Sequence, residues 1–305
     1  MISFQAFSKR YGTLTAVDVL DLEIAAGEVV ALLGPNGSGK TTSLKAAAGL
    51  ISPTSGAVRL AGRPASEPAA REVLSFLPQR VSFPESLSGR EVLEFYRSLR
   101  GVPTPRVDEV LKFASLNGAG GRAVGHYSGG MVQRLGLAVA MLPDTPVLLL
   151  DEPTAALDPE GLCAFYGLVN RRRAEGKTVL FTSHQLGDVE RLADRFAVLV
   201  GGRLVATLAA SELQDRLAER GVMRLRLDAP PPGLLESVRT RAPSAVLAGS
   251  ELVVPGGAAL RPAILDLVRS AGVSIRGLTA EEGRLDALYQ ELVGDTVGRD
   301  AGDHR

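Results

Sequence analysis

The chain of 305 residues is poor in the residues that usually announce a special environment. It has one cysteine, three histidines and no excess of either charge. The lone Cys163 excludes an internal disulfide framework and fits a reducing compartment. Lys+Arg and Asp+Glu stand at 34 each, so no basic field draws the whole protein to nucleic acid, and no nucleic-acid partner is expected. No apolar run approaches the roughly 20 residues that span a bilayer; "LGLAVAML" is stopped by Pro143. The opening "MISFQAFSKRYG" lacks a charged stretch followed by an apolar one, so a signal peptide is not expected. Work at a membrane would therefore need another chain to do the spanning. Between residues 221 and 303 there is neither His nor Cys, which leaves that part without a soft-metal site.

What is present is an ordinary globular balance, 45% apolar and 22% charged, over a length that suits two domains. "EVVALLG" (28–34), "VLLLDE" (147–152), "TVLFTS" (178–183) and "RFAVLV" (195–200) are continuous apolar runs. Such runs suit strands buried on both faces of a parallel sheet. Amphipathic segments at 159–175 and 186–193 fill the gaps and give the alternation of an α/β domain. Three helical patterns (88–100, 107–116, 128–142) predict an all-helical insert over about 84–142. From 221 the order changes to β-α-β-β-α-β: "VMRLRLD", "GLLESVRTRA", a hairpin in "AVLAGSELVVPGG", "AALRPAILDLVRSAG" and "VSIRGLT". That is the order of a small ferredoxin-like α+β module. The expected division is 1–220, then 221–294 with a closing helix in "EEGRLDALYQELV", then a disordered polar tail at 295–305.

Two stretches carry chemistry directly. "GPNGSGKTT" (Gly34, Pro35, Asn36, Gly37, Ser38, Gly39, Lys40, Thr41, Thr42) follows a predicted strand and opens a predicted helix. In G-x-x-x-x-G-K-[ST], backbone N–H groups cradle phosphates, the lysine meets the β- and γ-phosphates and the following hydroxyl holds Mg²⁺. "VLLLDEP" (147–153) is a buried strand ending in two carboxylates. Beside a phosphate loop, Asp151 is placed to hold Mg²⁺ and Glu152 to act as general base on the attacking water; away from one, the pair would only cap a turn. A third stretch, "HYSGGMVQR" (126–134), opens a second helix with two glycines far from the phosphate-binding lysine.

"GPNGSGKT", "SGG", "LLLDEPT", "AALD" and a histidine after "LFTS", in this order, resemble the nucleotide-binding subunit of an ATP-binding-cassette (ABC) transporter over residues 1 to about 215. The resemblance implies a P-loop ATPase core with a helical subdomain, using ATP and Mg²⁺. It places Tyr11 under the adenine and Gln79 of "LPQR" between Mg²⁺ and the transporter contact. It gives Ser128, Gly129 and Gly130 the signature core, Asp158 the loop between two subunits and His184 the switch position, with Glu152, His184 and Lys40 as the catalytic set. Simpler readings stand beside these: Tyr11 as packing, Gln79 as surface, Asp158 as the N-cap before Pro159, His184 as structural. "RRR" at 171–173 reads as a solvated helix face and Cys163 as packing.

The resemblance further implies a second copy of the chain as partner. The signature helix of one copy then faces the γ-phosphate held by the other, with the helix N-terminus favouring negative charge. Tyr127 and Met131 depart from the family's usual leucine and glutamine. An integral-membrane subunit is implied too, contacting Gln79 and "RVSFPESLSGREVLEFYRSLRG" (80–101), which puts the protein in the cytoplasm against the inner face of the cell membrane. The variant signature most resembles the ATPase branch serving nitrous-oxide reductase maturation, where the membrane subunit works with a periplasmic protein. Drug or polysaccharide exporters share the cassette. A soluble ABC ATPase of translation or repair usually carries two cassettes or a long coiled-coil insert, and neither is present.

Overall fold

The computed structural model describes residues 1–155, 157–183, 191–219 and 221–281. These residues divide into two compact units, the first ending at Leu208 and the second beginning at Ala209, ahead of the boundary expected after residue 220. The expected closing helix and polar tail lie outside the described residues, as does most of the segment 186–193.

The first unit is built on a six-stranded sheet in the order β10-β9-β3-β8-β7-β6. Its strands are Val29–Leu33 (β3), Leu74–Leu77 (β6), Val147–Leu150 (β7), Thr178–Ser183 (β8), Arg195–Val200 (β9) and Arg203–Ala209 (β10). The pairs β9·β3, β3·β8, β8·β7 and β7·β6 are all parallel. Every residue of β3, β7 and β8 is buried, which is why each reads as an unbroken apolar run. Val30, Leu32, Leu149, Leu180 and Leu199 pack on one face with Leu44, Ala46 and Ala47 of Lys40–Ala47 (α1). On Pro159–Ala174 (α6), Phe165 meets Phe181 of β8 edge-on at 6.3 Å.

A second sheet, β2-β1-β4-β5, completes the core around α1. It consists of Ile2–Tyr11 (β1), Leu14–Ile24 (β2), Ser55–Leu60 (β4) and Arg63–Pro64 (β5), and the sequence reading did not find it. The β1–β2 register shifts three times, between Phe4 and Phe7, Phe7 and Lys9, and Lys9 and Arg10. Burial along β1 consequently falls on Ile2, Phe4, Phe7 and Ser8 rather than alternating, so the period-two signal is lost.

Between β6 and β7 lie Gly89–Arg100 (α3), Pro105–Phe113 (α4) and Gly129–Met141 (α5). Ser88 and Glu91 form a capping box that starts α3, and Ser88 also bridges Ala123. Pro68–Glu72 (α2) precedes β6. Two expectations about α6 are corrected. Arg172 is not solvated: only 1% exposed, it donates to Asp144 Oδ1 at 3.0 Å and to the Thr145 carbonyl at 3.2 Å. It continues the buried i, i+3, i+4, i+7 stripe of Phe165, Leu168 and Val169. Cys163 is exposed rather than packed.

The second unit holds Ala210–Glu219 (α7), Val222–Asp228 (β11), Leu234–Arg239 (α8), Val246–Ala248 (β12), Glu251–Pro255 (β13), Arg261–Ser270 (α9) and Ser274–Glu281 (β14). The strands form an antiparallel sheet in the order β12-β13-β11-β14. Met223, Leu225 and Leu227 point to one face, where Leu234, Val238, Ile264 and Val268 cover them. Among the described residues no helix is long and apolar enough to cross a membrane.

The bulged sheet sets a test of close packing. Gly56 has φ +73°, and a Cβ there would lie 2.1 Å from the Ala6 carbonyl oxygen; Gly62 has φ +78° with nothing within 4 Å. Gly62→Ala should lower stability by about 1 kcal/mol, the cost of left-handed backbone, whereas Gly56→Ala should cost clearly more because β1 and β4 must separate. Urea denaturation of the two variants measures the difference; equal losses would contradict it.

Candidate nucleotide-binding site

The parallel strands all deliver their C-terminal ends to one edge, where a crevice suits a ligand. Gly34 follows β3, Gln79 follows β6, Asp151 and Glu152 follow β7, and Thr182 lies near the end of β8. A cleft of about 680 Å³ opens there, lined by Tyr11, Leu14, Ala16, residues 34–42, Gln79 and Glu152. That volume falls in the range of small-molecule sites.

The loop 34–39 wraps the N-terminus of α1, with Gly39 as N-cap at φ +99°. A side chain at Gly39 would put its Cβ 2.6 Å from the Ala16 carbonyl oxygen, so the loop must carry glycine where it passes the strand. Lys40 is buried and lays its ammonium across the loop, donating to the carbonyls of Gly34 at 2.7 Å and Pro35 at 3.1 Å. Burial pushes its pKa below the usual lysine value, against the pull of the Glu152 and Asp151 carboxylates. The buried Ser38 hydroxyl has no partner among the described residues.

Asp151 Oδ1 accepts from Thr41 Oγ1 at 3.1 Å and from Thr182 Oγ1 at 2.8 Å. Its Oδ2 is buried without a partner among the described residues. Burial raises the Asp151 pKa, the two hydroxyl donors lower it, and the neighbouring Glu152 charge raises it further. One carboxylate with an open oxygen beside one hydroxyl is a hard-oxygen set of the kind that binds Mg²⁺ together with substrate phosphates, not a closed cage. Consistent with this, no group of three or more His, Cys, Asp or Glu is gathered among the described residues.

Glu152 is nine-tenths buried and sits at φ +46°, a backbone state costing on the order of 1–3 kcal/mol for such a residue. Its amide donates to Thr182 Oγ1 at 2.7 Å, and Asp151 N–H donates to the Leu77 carbonyl at 2.9 Å. Gln79 Nε2 donates to Glu152 Oε2 at 2.8 Å, so Gln79 meets the acid rather than merely facing solvent. Thr182 went unnoticed in the sequence, where "LFTS" reads as one more buried strand.

Tyr11 lines the cleft at the tip of β1 with about half its surface exposed, and the Lys9 ammonium stands 5.1 Å from its ring centre. Ser128 caps α5, its Oγ accepting from Met131 N–H at 3.2 Å. Ser128 and Gly129 are exposed, and neither they nor Gly130 line the cleft. Tyr127 is a strut: its hydroxyl donates to the Ala119 carbonyl at 2.9 Å and stands over Gly89, where a Cβ would lie 2.3 Å away. Asp158 caps α6, its Oδ1 accepting from Gly161 N–H at 2.9 Å, while its Oδ2 accepts from Arg134 at 3.3 Å. His184 lies outside the described residues.

A glycine-rich loop between a buried strand and a helix, beside a carboxylate-tipped parallel strand, defines a P-loop nucleotide-binding domain. A family model for the ABC transporter matches residues 17–155. The chain is 33% identical over 311 aligned positions to the daunorubicin resistance ATP-binding protein DrrA3 of Streptomyces coeruleorubidus, covering 96% of each. It is 37% identical over 240 positions to the Nod factor export ATP-binding protein I of Burkholderia orbicola, covering 77% of this chain and 78% of that one. A solved dimer of the ATP-binding cassette MJ0796, in a post-hydrolysis state with ADP and Pi, matches with a TM-score of 0.64 at 26% identity, covering 69% of this chain and 99% of the other. The chain belongs to the ABC transporter family as an ATP-binding cassette ATPase.

The Thr182 bridge yields a prediction. Thr182→Val keeps the volume but removes both hydrogen bonds, leaving the Glu152 amide without its acceptor. Stability should fall by about 1–3 kcal/mol, the cost of an orphaned buried donor, and ATP turnover by about tenfold or more. Thermal melting and steady-state phosphate release measure the two; unchanged turnover would remove Thr182 from the site.

Proposed function

We propose that this chain is the ATP-hydrolysing subunit of an exporter, two copies closing head to tail around two ATP and driving a separate integral-membrane subunit. The observation that carries the pairing is the placement of the signature turn. Ser128 offers a hydroxyl at a helix N-terminus, yet it lies outside the cleft of its own chain. Ser128, Gly129 and Gly130, which do not line that cleft, serve as a second anion cradle that another copy's phosphate loop completes. The dimeric state of the MJ0796 structure supports this arrangement.

Lys40 and the N–H groups of residues 34–42 hold the β- and γ-phosphates, and the exposed Tyr11 ring takes the adenine. Thr41, Asp151 and Gln79 stand on the protein side of Mg²⁺, which when bound neutralises charge on the transferred phosphoryl group. Glu152 takes the proton from the attacking water, with its carboxylate aimed by Gln79 and its backbone by Thr182. His184 completes the set as the γ-phosphate switch. Ser128, Gly129, Gly130 and Asp158 act across the interface.

For cargo, the full-length likeness to a drug-resistance ATP-binding protein, including the C-terminal module, favours an exporter of the drug-resistance or Nod-factor-export type. The stretch 80–101, which exposes Phe95 and Leu99 on α3, is the contact for the membrane subunit. A second reading, maturation of the nitrous-oxide reductase copper centre through a membrane subunit and a periplasmic protein, rests on Tyr127 and Met131. Deleting the gene separates the two: normal copper-centre spectra in the deletion strain reject the maturation role, and their loss supports it. Residues 221–294 are proposed as a regulatory or dimerisation module. Truncation after Leu208, where the first unit ends, should then leave a folded, ATP-binding cassette with altered dimerisation.

The catalytic reading has a direct test. Glu152→Gln should bind ATP, hydrolyse it at least about 100-fold more slowly, the scale of a lost general base, and accumulate as an ATP-bound dimer in light scattering. Ser128→Arg should block hydrolysis while leaving ATP binding by the monomer largely intact. Near-normal turnover of Glu152→Gln would overturn the assignment, and loss of monomer binding in Ser128→Arg would overturn the trans geometry.

A further inference from the structure

Arg134 lies on α5, six residues beyond the Ser128 cap, and its side chain is only 7% exposed. A buried guanidinium needs acceptors on several sides. Its Nη1 donates to the carbonyls of Ala114 at 3.3 Å and Ser115 at 3.2 Å, at the C-terminal end of α4. Positive charge is favoured there by the helix dipole and by carbonyls left without helical partners. The same Nη1 reaches Glu160 Oε2 at 3.3 Å, and Nη2 reaches Asp158 Oδ2 at 3.3 Å. Both carboxylates belong to the N-terminus of α6, where Asp158 divides its oxygens between capping the helix and holding the arginine.

We infer that Arg134 is a positioning residue that locks the signature helix to the Asp158 loop within one subunit, so that both meet the second copy as one rigid surface. This rests on the paired reading proposed above. Two elements acting on the same trans nucleotide must hold a fixed spacing. Without the lock each has to be ordered separately on closure, and that ordering opposes dimer formation. Nothing in the arrangement touches the chain's own nucleotide cleft, so monomer affinity is independent of it.

The test uses the full-length protein. Arg134→Met keeps most of the apolar volume and removes the charge. Asp158→Asn keeps the N-cap, since asparagine caps as well as aspartate, and removes only the ion pair. The expected result for Arg134→Met is a rise of about tenfold in the ATP concentration at half-maximal turnover, on the scale of one lost hydrogen bond to a charged group. Binding of a fluorescent ATP analogue to the monomer should stay unchanged. In a Glu152→Gln background the ATP-bound dimer should dissociate about tenfold more readily when Arg134→Met is added. Arg134→Met should add less once Asp158→Asn is present, because Asp158 is one of the two carboxylates through which Arg134 holds α6, Glu160 being the other. A Glu152→Gln dimer unaffected by Arg134→Met overturns this inference alone. Failure of Glu152→Gln itself to dimerise overturns the paired reading and this inference with it. Equal effects of Arg134→Met with Asp and with Asn at position 158 overturn the link to the loop, leaving Arg134 as a cap on α4. Equal loss of thermal stability and of monomer nucleotide binding overturns the inference in favour of a purely structural arginine.

Discussion

The cleft is organised around the hydroxyl of Thr182, which receives the Glu152 amide and donates to Asp151 on the strand beside it. Strand β8 lies between the strand that carries the phosphate loop and the strand that carries the two acids. A hydrogen-bonding side chain on the intervening strand is therefore the shortest bridge available. Because the bridge holds a backbone N–H at φ +46°, it fixes where the Glu152 side chain leaves the chain. Gln79 then needs one hydrogen bond to set the carboxylate itself. The phosphate loop is pinned independently, by Gly39 passing close to Ala16 and by Lys40 spanning its carbonyls.

Much of the arrangement was legible because the chemistry sits in loops of restricted composition. Residues 34–42 and 151–152 stand where continuous apolar runs end, and both signals are strong in one sequence. The N-terminal sheet was hidden because its bulges put Phe4 and Phe7, three apart, on the core side together. Arg172 was hidden because a run of three arginines on a helix reads as a solvated face, and nothing in the local composition singles out Arg134. Arg134 with Leu137, Ala138 and Met141, and Arg172 with Phe165, Leu168 and Val169, occupy buried stripes at helical spacing, and that spacing is the signal that could have found them.

Tyr127 shows how a departure from a family pattern becomes intelligible once packing is known. Its hydroxyl spans to the Ala119 carbonyl over Gly89 at the start of α3, where a Cβ would lie 2.3 Å from that hydroxyl and would have to displace it. The same region is tied by backbone hydrogen bonds from Gly89 to Arg122, Arg90 to Gly120 and Val124 to Leu87. The turn before Ser128 is thus fastened to the helix that exposes Phe95 and Leu99.

The exposed thiol of Cys163 has a practical consequence. It is the only cysteine in the chain and stands on α6, one turn beyond the Asp158 cap. A spin label or fluorophore placed there needs no background cysteine removed, and in a symmetric pair each copy carries one reporter on the helix that the Asp158 loop starts. Pulsed dipolar spectroscopy on such a sample reads a single distance between equivalent positions, and the change in that distance with nucleotide measures the proposed closing of the pair.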